Sequence, residues 1–430
     1  MSNLPRAIDY HNTAMRVFNR SVSALNALGV PPFKISEAKL LESASKKTGL
    51  DDYGNADFLP RLRVLLNSLN TEANLNPLGR LMQRQSISSI LRDRLYLQDL
   101  LKRHPEILER KIADPVVIVG LARSGTTRLH RLMAADHQFL HLKAWESMNP
   151  VPYPESERIR DAGQGIDPRQ VEIEQGLKIV LAMSPQIASV HPLGANEVEE
   201  EIGLLMHDFS TQMFEVQSQV ASFAEHLMTN DQTSAYELMV TLLKVTAWFR
   251  NDPEGKPWIL KSPQHMQDLD ALMNVFPNAK IVCPHRDPIK AVGSACSMTW
   301  NSIVRDSDDV DPHWVGREWL TKTECMLRKN LRVREGFAAA QQHDVLYADI
   351  TADWEKSVRG IYDFIGMEFT AQAKSAMQAW LESNAQHKHG AHKYSLEDFG
   401  LTEAQVEERL GFYRARFDIP FEKRNPHAAA

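Results

Sequence analysis

Cysteine is scarce in this sequence: Cys283, Cys296 and Cys325 are the only three in 430 residues, and no two stand in a CxxC spacing. That excludes a disulfide framework and leads us to expect a reducing, cytoplasmic setting. Long apolar runs are also missing. Nothing approaches the ~20 apolar residues a membrane span requires, and the stretch from Met1 to Phe18 lacks a signal-peptide core. There is no surplus of basic charge. Lys and Arg total 49 against 55 Asp and Glu, a net charge of -6, which argues against nucleic acid as the main partner. A local basic pocket for a small anion remains compatible with that balance. Gly and Pro are not in excess, and with 43% hydrophobic and 24% charged residues the composition is that of an ordinary globular protein. The chain is long enough for one large core, or a core with helical additions. It has no internal repeat.

What is present divides at about residue 112. Residues 1–112 read as a helical region: Phe58, Leu62, Leu65, Leu66 and Leu69 share one helical face, and Leu81, Met82, Ile90, Leu91 and Leu95 continue the period. We find packing there and no chemistry. Residues 113–430 read as an α/β domain. Pro115–Val119 is a β-branched run ending in Gly120, and Trp258–Leu260, Lys280–Cys283 and Asp344–Tyr347 are similar runs. Helical stretches such as Tyr236–Phe249 separate them, so a mostly parallel sheet flanked by helices is expected. Thr402 and Gln405 have the spacing of a capping box, with Leu401 and Val406 as its staple; this predicts a C-terminal helical cap running to about Phe417.

Gly120-Leu-Ala-Arg-Ser-Gly-Thr-Thr127 follows the first strand and opens a helical run, Leu129 to Ala135. Such a turn presents backbone N–H groups and the positive end of a helix to an anion. The GxxxxG spacing is that of a phosphate loop, but Thr126 stands where an ATP-binding loop places lysine, and a cation sits inside the loop at Arg123. A second anion-binding pattern follows the Lys280 strand: Arg286 leaves the strand and Ser294 lies eight residues on, beyond Pro288. A guanidinium and a hydroxyl so placed can grip one phosphate. Two anion sites suit a nucleotide phosphorylated at both its 5′ and 3′ positions.

Together these motifs resemble those of sulfotransferases, in particular the bacterial branch. Arg123, Ser124, Gly125, Thr126 and Thr127 are similar to that family's 5′-phosphosulfate loop, and Arg286 with Ser294 to its 3′-phosphate pair. Val345–Asp349 resembles the family's late strand, and His392–Gly400 the tail of the bacterial branch, where Lys393 is a further candidate cation for the nucleotide. The resemblance implies a P-loop-like fold and transfer of a sulfuryl group from 3′-phosphoadenosine-5′-phosphosulfate to a hydroxyl or amine of a small-molecule acceptor, with no metal. It gives Arg123 and Lys261 as the cations beside the transferred group.

Two residues are candidates for the base that takes the acceptor's proton. Glu146 is expected to be delivered beside the phosphate loop by an edge strand, Phe139–Glu146, and is the favoured one; His265, four residues after Lys261, is the rival. The acidic run Glu197, Glu199, Glu200 and Glu201 reads as the wet face of a helix, or else as the border of an acceptor pocket. His387, His389 and His392 lack an acidic or cysteine partner at ligand spacing and read as a solvated loop. His191, Met206, Met213 and Met228 read as packing or as an apolar acceptor wall. A P-loop kinase and a non-catalytic nucleotide-binding module remain the alternatives. The acceptor and the oligomeric state are not encoded in any motif.

Overall fold

The computed structural model describes residues 4–28, 33–184, 194–384 and 395–422. Four parallel strands form the central sheet: β1 (Val116–Ile118), β4 (Ile259–Lys261), β5 (Lys280–His285) and β6 (Gln342–Leu346), in the order β4-β1-β5-β6. Their side chains alternate between two buried faces, as period-2 geometry requires. Val116, Ile118, Ile259 and Val282 join one apolar cluster with the helices Thr126–Ala134 and Trp354–Ile365. Val117, Val119, Leu260 and Ile281 join the other, with Thr233–Arg250, Pro288–Asp306 and Pro312–Arg334. Burial on both faces explains why these strands read as continuous apolar runs rather than alternating ones.

The chain goes from β1 to one side of the sheet for β4 and then crosses to the other side for β5. The direction reverses at β1, and in sheets of this kind ligands bind outside the carboxyl ends at such a reversal. Every anion-binding motif of the sequence leaves the sheet at that end.

The N-terminal helices Phe58–Thr71 and Pro77–Arg103 bury Phe58, Leu62, Leu65, Leu66, Leu69, Ile90, Leu91 and Leu95 together. The expected C-terminal helix is Glu403–Arg416, with the Thr402–Gln405 capping box formed and Leu401 and Val406 buried. Two expectations are corrected. The segment Phe139–Glu146 is not one edge strand. Leu142–Lys143 (β2) pairs antiparallel with Val198–Glu199 (β3), and Glu146 lies in the short helix Ala144–Met148 that follows. The acidic run is not a helix; it forms β3 and the turn after it. No helix among the described residues is long and apolar enough to cross a membrane.

The C-terminal cap closes on Gly316 in the helix Pro312–Arg334. A Cβ there would lie 2.1 Å from the Phe399 carbonyl oxygen. Alanine normally favours a helix over glycine by about 1 kcal/mol. Gly316→Ala is nonetheless expected to destabilise the protein by about 1–3 kcal/mol, because backbone must move to admit the methyl group. A lower urea midpoint at unchanged slope checks this.

Candidate active site

The loop after β1 is built by two residues in the left-handed region. Gly125 (φ 85°) caps the nine-residue helix Thr126–Ala134, and its missing Cβ leaves room for the Tyr347 ring, which a Cβ would meet at 2.5 Å. Arg123 takes φ 71° without being glycine, a conformation that costs about 1–2 kcal/mol. Contacts at both ends hold it there. Arg286 Nη1 donates to the Arg123 carbonyl at 2.8 Å, and Arg123 Nε donates to Ser294 Oγ at 2.9 Å. Ser124 is buried and donates to the Leu121 carbonyl at 2.7 Å, which closes the turn.

The two expected anion motifs therefore meet. Arg286 leaves β5, Ser294 sits in the helix Pro288–Asp306, and both contact Arg123. The Arg286 guanidinium stacks over Tyr347 at 4.4 Å. Glu422 accepts two hydrogen bonds from it, at 2.7 and 2.8 Å. Lys393 lies outside the described residues, as do His191, His387, His389 and His392. Met206 is buried in the core, while Met213 and Met228 pack against it half-buried.

Lys261 ends β4 in register with Ile118, two residues before the phosphate loop begins at Gly120. It is fully buried, so it is no strand-end lysine reaching for solvent. Its ammonium donates to Thr127 Oγ1 at 3.2 Å and pairs with Glu200. Its backbone N–H donates to Glu201 Oε2 at 3.0 Å. Glu201 Oε1 meets His265 Nε2, and His265 Nδ1 meets the Tyr236 hydroxyl at 2.7 Å, all three residues being fully buried. Burial alone would raise the Glu201 carboxyl, but His265 and the Lys261 N–H outweigh it and hold the group below its ordinary value. Both nitrogens of His265 are thus engaged inside the protein.

Glu146 is held elsewhere. Lys143 N–H donates to its Oε2 at 2.8 Å, Arg250 Nε donates to its Oε1 at 2.6 Å, and Arg250 Nη2 pairs with Oε2. Arg250 also donates to the His141 carbonyl at 3.0 Å, so the carboxylate ties the β2 turn to the helix Thr233–Arg250. Glu200 and Glu201 were offered by sequence reasoning as a wet helix face or a pocket border, not as partners of Lys261. The signal available was the apolar Ile202-Gly-Leu-Leu-Met206 directly after them: charges abutting a buried run need partners.

Behind Lys261, His130 Nε2 lies 3.2 Å from the Ile259 carbonyl. Burial, reinforced by the Lys261 charge, pushes this imidazole down from 6.5 to about 3. Because the unfolded chain binds this proton first, stability is expected to fall as pH drops from 6.5 toward 3. His130→Gln, which keeps a donor to Ile259, should flatten that fall in urea midpoints measured between pH 7 and pH 4.

The sulfotransferase family model matches residues 115–371. The omega-hydroxy-beta-dihydromenaquinone-9 sulfotransferases Stf3 of Mycobacterium bovis and Mycobacterium tuberculosis are each 22% identical over 332 residues, covering 72% of this chain and 78% of theirs. The crystal structure of sulfotransferase STF1 from Mycobacterium tuberculosis is similar at 31% identity and TM-score 0.76, over 88% of this chain and 99% of that one. Sulfotransferase STF9 from Mycobacterium avium is similar at 25% identity and TM-score 0.79, over 90% and 98%. With the match spanning the sheet, the phosphate loop and the Arg286 loop, the chain belongs to the sulfotransferase family and is a sulfotransferase.

Proposed function

We propose that this enzyme transfers the sulfuryl group of 3′-phosphoadenosine-5′-phosphosulfate to a hydroxyl group of a small-molecule acceptor. The observation that carries the reading is the placing of two cationic groups at the two ends of the phosphate loop, at the reversal point of the sheet. Lys261 on Thr127 serves one end of the loop, and Arg286 with Ser294, joined through Arg123, serves the other. A bisphosphorylated nucleotide offers two separated anions to match them. The hydroxyl is favoured over the amine by the Stf3 relatives, whose name gives an omega-hydroxylated acceptor. A kinase reading lacks support, since Thr126 stands at the position of the ATP-binding lysine.

In the proposed reaction the acceptor oxygen attacks sulfur and the sulfur–oxygen bond to the 5′-phosphate breaks. Adenosine 3′,5′-bisphosphate leaves with the bonding pair. The phosphate is already a stable anion when it departs, so positioning and charge neutralisation do most of the work. Arg123, Lys261 and the N–H groups of the helix Thr126–Ala134 neutralise the charge that develops on the bridging and departing oxygens.

The acceptor's proton goes to a carboxylate, and the geometry favours Glu200 over Glu146 and His265. Glu200 contacts Lys261 itself, and its side chain keeps 14% exposure. The corresponding figures are 4% for Glu146, locked on Arg250, and 0% for His265. Of these three, Glu200 alone combines contact with Lys261 and a side chain partly open to solvent.

Adenosine 3′,5′-bisphosphate is expected to raise the melting temperature well above any shift given by ATP with magnesium, because ligands stabilise the state they bind. Equal shifts in a thermal-shift comparison would remove the donor assignment.

The second test concerns the base. At saturating donor, Glu200→Gln should lower the single-turnover rate about 10²–10⁴-fold and remove the loss of rate at acid pH that marks a base needing to be ionised. Glu146→Gln should remain within about 10-fold of the parent and keep that acid limb. The opposite ranking would return the role to Glu146.

A further inference from the structure

The carboxylate on Arg286 belongs to the far end of the chain. Glu422 binds the guanidinium through both oxygens, Oε1 on Nε at 2.7 Å and Oε2 on Nη2 at 2.8 Å. This fork-on-fork geometry is the one by which an arginine also takes a phosphate. Glu422 is not there by chance packing of a loose end. Its backbone N–H donates to Asp287 Oδ2 at 2.8 Å, and Asp287 Oδ1 accepts from Arg414 Nη2 at 2.8 Å. Arg414 in turn donates to the Ile419 carbonyl at 3.2 Å and stacks on Phe421 at 3.6 Å. The segment from Ile419 to Glu422 is therefore anchored through Asp287, the residue next to Arg286, by contacts that do not involve Arg286.

We propose that Glu422 is a built-in competitor for the nucleotide's 3′-phosphate, and that it sets how tightly the enzyme holds donor and product. This rests on the reading of Arg286 as the 3′-phosphate residue. The backbone anchor on Asp287 keeps the carboxylate at high effective concentration beside the guanidinium whichever way its side chain turns. The Nε and Nη2 edge that Glu422 occupies is the edge a phosphate would use, and a 3′-phosphate takes it only when the carboxylate swings out. The measured affinity is then the intrinsic affinity reduced by the fraction of molecules with Glu422 turned away. A nucleotide without a 3′-phosphate leaves Glu422 undisturbed and is not subject to that reduction. The device discriminates among ligands by the group at the 3′ position alone, and it eases release of the bisphosphate product after transfer.

The experiment is isothermal titration calorimetry of adenosine 3′,5′-bisphosphate and of adenosine 5′-monophosphate into four proteins: the parent, Glu422→Gln, Glu422→Ala and Arg286→Ala. Since Arg286 and Glu422 are both partly exposed, at 23% and 29%, the gain expected is modest. Both Glu422 variants should bind the bisphosphate roughly 3- to 10-fold more tightly and the monophosphate with the parent's affinity. Two variants are used because glutamine can retain one hydrogen bond to Arg286 and alanine none; the alanine gain should be at least as large. No gain, or an equal gain for both nucleotides, overturns the proposal, the latter because it would mark a general effect of removing one negative charge. Arg286→Ala reads the premise separately. If it abolishes the parent's preference for the bisphosphate, the 3′-phosphate assignment stands and the Glu422 variants decide the competition. If the preference survives, the assignment falls and the proposal with it.

Discussion

The active site depends on how a fully buried ammonium is accommodated at the end of β4. Lys261 is shut off from water, and a charge buried in that position is costly unless it is paired and hydrogen-bonded. Glu200 supplies the charge, Thr127 a hydroxyl, and Glu201 fixes the backbone from which the side chain springs. Neither glutamate could reach β4 unless the ribbon of β2 and β3 lay beside this edge strand, where Leu140, just before β2, bridges Trp258. That ribbon is held by Glu146 and Arg250, the latter bonded to the His141 carbonyl. The carboxylate that the sequence points to as a base thus supports the strands that bring Glu200 and Glu201 into place. His130, kept neutral behind the lysine, completes the arrangement by adding no second positive charge.

The phosphate loop solves a related problem with strain. An arginine in the left-handed region is held only where its surroundings over-determine it. Here the Arg286 guanidinium on its carbonyl and Ser294 on its side chain do so. The consequence is that Arg123 and Arg286 form one unit: moving the Arg286 guanidinium disturbs the backbone of Arg123. Two candidate anion sites that look independent in sequence are coupled through the Arg123 carbonyl and the Ser294 hydroxyl.

Much of the fold was legible in the sequence because it follows local rules. Strands buried on both faces must be apolar throughout, a glycine-bounded turn before a helix must present N–H groups, and a Thr-x-x-Gln pattern must cap. The joining of Arg286, Ser294 and Arg123 was only partly legible: spacing suggested that Arg286 and Ser294 meet, and nothing local could show that Arg123 lies between them. The base was harder. The run from Glu197 to Glu201 is locally indistinguishable from a wet helix face, and only its pairing with Leu142 and Lys143, more than fifty residues away, turns it inward. The partners of Glu146 were hidden for the mirror-image reason. A carboxylate after a presumed strand looks available, whereas its partner Arg250 is remote in sequence and invisible to any spacing argument.

For a protein of net charge -6, binding the proposed bisphosphorylated nucleotide meets a general difficulty, which is that its own carboxylates compete for its cations. The structure concentrates that competition at chosen points. Glu200 sits on Lys261 and Glu422 on Arg286, each joined to the cation the nucleotide would need. The affinity for an incoming anion is then a difference between two ion pairs rather than the full strength of one, and a difference of this kind is tuned by small changes in either partner. The two carboxylates are not equivalent, however. In the proposed reaction Glu200 shares its cation, Lys261, with the reacting end of the donor, where an ionised oxygen is chemically useful as a proton acceptor. Glu422, in the same proposal, faces the end that never reacts. A carboxylate there contributes nothing to bond making, and its effect is confined to binding and release.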